Sequence, residues 1–154
     1  NIQAVKESTR DISNVTRMIN RFGDRFKILT GVDPLAMESL VMGADGWVAG
    51  LVDAFPKETV AIFRLVKAGR IAEALAIYRW FLPVLELDIH PKLVQYIKLA
   101  EVATGIGTEN GRAPRLKIEG AEREKVLKII NDALAVRPVL PEGSWGRVSK
   151  LQTV

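Results

Sequence analysis

Cysteine is absent from this chain of 154 residues, and histidine occurs only once, as His90. Without cysteine the chain cannot build a disulfide scaffold or a thiolate-ligated metal centre, and one histidine cannot supply a usual zinc site. We therefore expect no metal. A cysteine-free chain is compatible with a reducing compartment, so we expect a cytoplasmic location.

Long apolar runs and dense runs of one charge are also absent. No apolar stretch reaches the length of a membrane-spanning helix, and no stretch resembles a signal peptide. The 22 lysines and arginines are dispersed among 18 acidic residues, without the basic stripe and interleaved aromatics typical of nucleic-acid binding. We expect neither a membrane nor a nucleic acid as a partner. Hydrophobic residues make up 48% of the chain, which is enough for a packed core.

Short apolar runs and helical patterns alternate in the first third of the chain. The pattern predicts a β-α-β-α-β order, which favours an α/β fold with parallel strands and right-handed crossovers. Three such strands would leave long unpaired edges, and a strand-like run stands at the very start of the chain. We therefore expect the last part of a larger sheet or barrel, with an N-terminal portion missing. The predicted elements are strands at 2–6, 25–30 and 46–52 and helices at 11–22 and 33–42.

The rest of the chain is predicted to be helical. Apolar spacing and helix-ending glycines or prolines indicate four further helices. Pro83 lies inside the second and should kink it or end it early. We expect 1–55 to form the last βα units, 56–138 a helical extension and 139–154 a loosely held tail. The four helices are predicted at 56–69, 70–88, 92–104 and 121–136.

Lys6 is the residue that points most clearly to chemistry, because it ends the first predicted strand. Catalytic side chains of (β/α)8 barrels lie at the carboxyl ends of strands. A lysine in an apolar ring of strands is poorly solvated, which disfavours its ammonium form. The neutral amine can attack a ketone and form a Schiff base. Spacing alone leaves open an ordinary lysine that extends its amine to water.

A resemblance favours the catalytic interpretation. AVKESTRD, which contains Lys6, resembles the Schiff-base lysine segment of the dihydrodipicolinate synthase / N-acetylneuraminate lyase family of class I aldolases. ILTGVDPLAMESLVMGADGWVAG is similar to that family's loop after strand seven and its glycine-rich run at strand eight. ALAIYRWFLP, YIKLAE and GRAPRL resemble its helical C-terminal region. The resemblance implies strands six to eight of a (β/α)8 TIM barrel plus a helical extension.

The same resemblance implies roles for six residues. Lys6 would be the Schiff-base nucleophile, and the others would contact or line the substrate site. Asp33 could instead be a helix N-cap, and Val48 could be barrel packing. Gly31 makes physical sense, since glycine lets a backbone approach a ligand closely. The implied substrate-binding residues are Ser8, Gly31, Asp33, Val48 and Gly50.

The family's Gly-Thr-Thr-Gly-Glu segment and its proton-relaying tyrosine have no counterpart here, and Asp53 stands where asparagine is common. The resemblance therefore implies a lyase on pyruvate or a related 2-keto acid that is inactive without its N-terminal half. It also implies a homo-oligomer without an organic cofactor. The alternative is a non-catalytic remnant or a helical interaction module. Glu86 and Asp88, on the second extension helix, are predicted to be solvated or capping.

Overall fold

The computed structural model describes residues 1–144; the last ten residues of the predicted tail lie outside the described residues. Three strands and six α-helices follow one another, with short 3-10 turns at Asp33–Leu35, Leu51–Asp53 and Glu86–Ile89. The elements are β1 (Ala4–Glu7), α1 (Ser13–Phe22), β2 (Lys27–Thr30), α2 (Ala36–Val41), β3 (Gly46–Trp47), α3 (Pro56–Lys67), α4 (Ile71–Leu85), α5 (Leu93–Ala103) and α6 (Gly120–Ala135).

The three strands form one parallel sheet in the order β1-β2-β3. Lys6 pairs with Leu29, and Leu29 pairs in turn with Gly46. Burial alternates along the strands, as the two-residue period of a pleated sheet requires. Val5 and Glu7 are more buried than Lys6, and Ile28 is more buried than Leu29, so one face of the sheet is packed and the other is more open.

The third strand is much shorter than the predicted run 46–52. Only Gly46–Trp47 pairs with β2, and the chain then enters the 3-10 turn Leu51–Asp53. The strand is shortened by a contact with a residue far away in sequence. The amides of Gly50 and Leu51 donate to the Asp33 carboxylate, and therefore do not extend the strand.

Two helix boundaries also differ from the prediction. The segment after β2 begins with a 3-10 turn, and Val32 rather than Asp33 is its N-cap residue. The helix containing Pro83 continues two residues past the proline, ends at Leu85 and passes into the 3-10 turn Glu86–Ile89. Pro83 has no N–H and so removes one backbone hydrogen bond from the last turn of this helix, which ends two residues later.

One continuous core crosses the expected division at residue 55. The Phe55 and Phe81 rings lie 5.0 Å apart, and both side chains are fully buried. Trp80 on α4 donates from its indole to the Ala133 carbonyl on α6, which ties the last helix to this core. No described helix meets the length and apolarity needed to cross a membrane.

Both edges of the sheet are flanked by apolar cavities. A cavity of about 190 Å³ beside β1 is lined by Val5, Met18, Phe22, Gly23, Phe26 and Ile28. A second cavity, of about 370 Å³, lies beside β3 and is lined mainly by Trp47, Val48, Val60 and Phe63. Among the described residues β1 and β3 each have a strand neighbour on one side only.

Candidate functional site

Lys6 lies at the carboxyl end of β1, one residue before the strand ends. Its side chain crosses Gly31 of the neighbouring strand exit. A Cβ at position 31 would overlap the Lys6 and Ser8 side chains. Glycine is thus required here for the close approach of the lysine itself, and the expected approach of Gly31 to a substrate stays a prediction. Lys6 is exposed in this chain, so the expected desolvation of its amine is not present within the described residues. The reason is the open sheet face.

The polar residues after Lys6 build the turn that leads into α1. Glu7 is buried, and its carboxylate accepts from the Thr9 backbone amide at 2.8 Å and from the Thr9 hydroxyl. Asp11 accepts from the Ser13 amide at 3.0 Å. Arg10 between them has a left-handed φ of 65°, which such a tight polar turn can support. These residues hold the chain that follows Lys6.

Asp33 is fully buried, and its carboxylate is surrounded by donors. It accepts from the Trp47 indole at 2.9 Å, from the Gly50 amide at 3.1 Å and from the Leu51 amide at 2.8 Å. The two amides belong to the start of the 3-10 turn after β3, so Asp33 caps a turn distant in sequence. The N-cap prediction for its own helix is wrong, because that helix makes no side-chain cap hydrogen bond. The substrate-binding role of Asp33 stays a prediction, although the side chain is fully buried in this chain.

Burial raises the pKa of Asp33 to about 6. The hydrogen bond from Leu51 opposes this rise, and the nearby Asp88 carboxylate adds to it. A buried carboxyl that stays protonated to higher pH follows from the low polarity around it. Asp33 therefore titrates close to the neutral range while holding the loop after β3.

Gly50 and Val48 lie on that loop. The Gly50 Cα faces the Asp88 carboxylate so closely that a Cβ there would overlap it. The Val48 amide donates to the Thr30 carbonyl at 2.9 Å, and its side chain is 42% exposed beside the cavity at β3. Gly50 thus belongs to the cluster around Asp33, whereas the Val48 side chain faces the open edge.

Asp88 is half-buried in this cluster. The sequence predicts a solvated or capping residue at this position. The Asp88 Oδ2 accepts from the Asp33 amide at 3.4 Å. Burial raises the pKa of Asp88, while the positive charges of Lys6 and Arg10 lower it. No sequence signal identified this residue, because its neighbours come from three separate strand exits. The helical extension therefore contributes a carboxylate to the predicted site.

The structure thus gathers Lys6, Ser8, Gly31, Gly50 and Asp88 at the carboxyl edge of the sheet, with Asp33 beneath them. Among residues 1–144, no three His, Cys, Asp or Glu side chains come together as a metal ion would require. The sheet is parallel and Lys6 lies at its carboxyl edge, which is the edge where a (β/α)8 barrel carries its chemistry.

The chain belongs to the dihydrodipicolinate synthetase family, whose model matches residues 1–133. It is 28% identical over 123 residues to a 4-hydroxy-tetrahydrodipicolinate synthase of Pelodictyon phaeoclathratiforme, covering 80% of this chain and 42% of the relative. It is 32% identical over 140 residues to an uncharacterized DapA-like lyase of Pyrobaculum islandicum, covering 85% of this chain and 46% of the relative.

A solved structure has the same fold. The dihydrodipicolinate synthase of Acinetobacter baumannii, described as chloride inhibited and complexed with pyruvate, matches with a TM-score of 0.75 and 21% identity. The match covers 86% of this chain and 46% of that chain. The chain thus spans less than half the length of these relatives, and the predicted partial (β/α)8 barrel is confirmed.

Proposed function

We propose that this chain carries the Schiff-base lysine of a class I lyase or aldolase that acts on pyruvate or a related 2-keto acid. The observation that carries the proposal is the position of Lys6, at the carboxyl end of a parallel strand and in contact with the Gly31 exit. Membership of the family and the pyruvate named for the Acinetobacter baumannii relative support it.

The chemistry begins with the neutral Lys6 amine. Its nitrogen attacks the C2 carbonyl of the keto acid, a carbon–nitrogen bond forms, and the carbonyl oxygen leaves as water after taking up protons. The product is a protonated imine, whose positive nitrogen withdraws electrons from C3. Loss of a proton from C3 then gives an enamine that can form a new carbon–carbon bond. Hydrolysis of the imine reverses the first step and frees the lysine.

The remaining part of the barrel is the partner that this proposal requires. It would pair with β1 and β3, fill the two edge cavities and remove the Lys6 amine from bulk water. It would also supply the carboxylate-gripping segment and the proton-relaying tyrosine that the chain lacks, so we expect the chain alone to be inactive. Assembly into a cytoplasmic homo-oligomer through the apolar helices completes the proposal.

Trapping with sodium borohydride and pyruvate tests the function. We expect the chain joined to the front half of a related barrel, such as that of the Pyrobaculum islandicum lyase, to gain the mass of one reduced pyruvyl group. The Lys6→Arg variant of the same fusion is the control, because it keeps the charge and cannot form the adduct. No adduct in a folded fusion would reject the proposal.

The second candidate is a non-catalytic remnant or helical interaction module. The exposure of Lys6 in this chain favours it. It predicts that a folded, completed barrel shows no pyruvate-dependent mass gain above that of the Lys6→Arg control. The same trapping experiment therefore separates the two candidates.

A further inference from the structure

The register of the sheet decides which residues share the more open face with the Lys6 side chain. It places Lys6 in one row with Gly46 of β3. Side chains two residues apart on a strand point to the same face, so Val48, two residues after Gly46, returns to the Lys6 face. The Val48 amide donates to the Thr30 carbonyl at 2.9 Å, which continues the pairing by one residue. Val48 therefore lies beside Gly31, the residue that the Lys6 side chain crosses.

The sheet alone fixes Val48 only weakly, because β3 ends at the residue before it. The chain then leaves the sheet and enters the 3-10 turn that begins at Leu51. The Val48 side chain is 42% exposed, so side-chain packing within the described residues holds it only in part. Another contact must determine where this residue lies.

The buried Asp33 carboxylate holds the chain on both sides of Val48. Before Val48, the Trp47 indole donates to Asp33 Oδ1 at 2.9 Å. After Val48, the Gly50 amide donates to Asp33 Oδ2 at 3.1 Å and the Leu51 amide donates to the same oxygen at 2.8 Å. The donors that flank one exposed residue thus converge on one fully buried carboxylate. Hydrogen bonds to an ionised acceptor are stronger than those between neutral groups.

We propose that Asp33 is a positioning residue of the candidate site, which acts through Val48 by fixing it on the face of the sheet that carries Lys6. The inference deepens the proposed function and rests on it for its catalytic meaning. A keto acid bonded to Lys6 would lie against the neighbouring strand exits, where Val48 is the exposed side chain after β3. A small misplacement of a group that orients a reactant slows the reaction strongly. This role requires no contact between Asp33 and the substrate.

Asp45 offers a matched comparison at the opposite end of β3. Its carboxylate also accepts from a backbone amide, that of Ile28, at 2.9 Å. It is exposed and precedes the first residue of β3, so it lies at the amino end of the sheet. Asp45→Asn therefore changes the same chemistry as Asp33→Asn without altering the carboxyl edge.

Hydrogen exchange of single amides, measured by NMR in the full 154-residue chain, tests the positioning without pyruvate. In Asp33→Asn we expect the Gly50 and Leu51 amides to exchange roughly tenfold faster, since each loses a hydrogen bond to a charged acceptor. The Val48 amide should also exchange faster, although its own acceptor is a carbonyl of β2 that the substitution leaves in place. The rates are compared with those of the α6 amides, which report the stability of the whole chain.

The control variant should change a different amide. We expect Asp45→Asn to speed exchange at Ile28 and to leave Val48 as in the unmodified chain. An unchanged Val48 amide in Asp33→Asn, or an equal change at Val48 in both variants, would overturn the proposal. If Asp33→Asn fails to fold, Trp47→Phe decides, because it removes one donor and leaves the carboxylate and both loop amides in place. Faster exchange at Val48 is then the expected result, and unchanged exchange overturns the proposal.

The consequence for the reaction is measured on the fusion with a front half-barrel. We expect Asp33→Asn to raise the pyruvate concentration that gives half-maximal borohydride trapping by roughly tenfold, because the reactant is less well oriented. Asp45→Asn should leave that concentration unchanged. A purely structural role would lower only the amount of protein trapped at saturating pyruvate. An unchanged half-maximal concentration in a folded Asp33→Asn fusion would therefore overturn the proposal.

Failure of this inference and failure of the proposed function give different results. If the unmodified fusion forms no adduct, the proposed function fails, whereas amide exchange still reports whether Asp33 fixes Val48. If the unmodified fusion forms the adduct on Lys6 and Asp33→Asn changes neither Val48 exchange nor the half-maximal pyruvate concentration, only the role of Asp33 is rejected.

Discussion

At the residue scale, the candidate site depends on two close approaches, one at Gly31 and one at Gly50. The sequence predicts them only in part. Gly31 allows the close approach of the Lys6 and Ser8 side chains, whereas its expected approach to a substrate stays a prediction. The position of Lys6 at a strand end could be predicted, whereas its exposure could not, because exposure depends on how the sheet packs. Asp88 could not be found at all, since its neighbours meet only after folding.

A methyl group at position 31 should disturb Lys6 without distorting the backbone. Gly31→Ala adds a Cβ that overlaps the lysine and serine side chains, so we expect slower pyruvate trapping on the completed barrel and a loss of about 1–3 kcal/mol in stability from overpacking. Gly111→Ala is the matched control, because its Cβ would meet Arg115 at an ordinary 3.6 Å. Identical trapping rates for the two variants would show that Gly31 does not position the amine.

The titration of Asp33 should be visible in the pH dependence of stability. Its pKa is raised from 3.8 to about 6 in the folded chain, first by burial. The folded state therefore binds more protons than the unfolded state between these values, so stability falls as pH rises through this window. The full shift corresponds to a loss on the order of 3 kcal/mol.

Urea unfolding between pH 3.5 and 7 measures this loss. We expect Asp33→Asn to flatten the curve between about pH 4 and pH 6, although the variant starts less stable because an amide nitrogen cannot accept from Leu51. Asp53→Asn, an exposed acid in the adjoining turn, should leave the curve of the unmodified chain unchanged. If the free energy of unfolding of Asp33→Asn fell with pH as much as that of the unmodified chain, the fall would not come from Asp33.

At the element scale, helices were predicted well and the last strand was not. The apolar periodicity of α1, α3 and α6 depends on local sequence, so their positions could be predicted within one or two residues. The local sequence at 46–52 is apolar throughout and is compatible with a strand over its whole length. Its conversion into a 3-10 turn depends on Asp33, which lies far away along the chain.

The ion pair between α3 and the segment after α6 makes a prediction about how the extension is attached. Glu58 on α3 is 2% exposed, and its Oε1 accepts from the Arg137 guanidinium at 2.6 Å. Removing the partner of a buried charge is costly, and since Arg137 is partly exposed we expect Arg137→Met to lower the free energy of unfolding by about 2 kcal/mol.

A surface pair on α6 provides the comparison. Lys128 and Asp132 are joined at 2.6 Å, but both side chains are well exposed. Lys128→Met should therefore change the free energy of unfolding, measured by urea titration, by less than about 0.5 kcal/mol. If both variants lost a similar free energy of unfolding, the buried Glu58 carboxylate would not depend on its ion pair with Arg137.

At the scale of the whole molecule, the open sheet face and the two edge cavities explain why the chain resembles half a barrel. The α/β class and partial barrel could be predicted from the alternation of elements and the unpaired edges. The proposed division at residue 55 remains a prediction, although one core crosses it at Phe55 and Phe81.

Completion of the sheet should stabilise the chain. The cavities beside β1 and β3 are apolar, and filling them removes apolar surface from water. We expect the fusion with a front half-barrel to unfold at a higher temperature than the chain alone, and to protect the β1 and β3 amides in hydrogen exchange. Unchanged protection at both edges would contradict the half-barrel account.

The account as a whole depends on which atom bonds to the keto acid. Peptide-resolved mass spectrometry of the fusion, after reduction in the presence of pyruvate, identifies that atom most directly. The account predicts the reduced pyruvyl group on the peptide containing Lys6, with the peptide containing Lys27 unmodified. An adduct spread over several lysines, or located on any lysine other than Lys6, would contradict it.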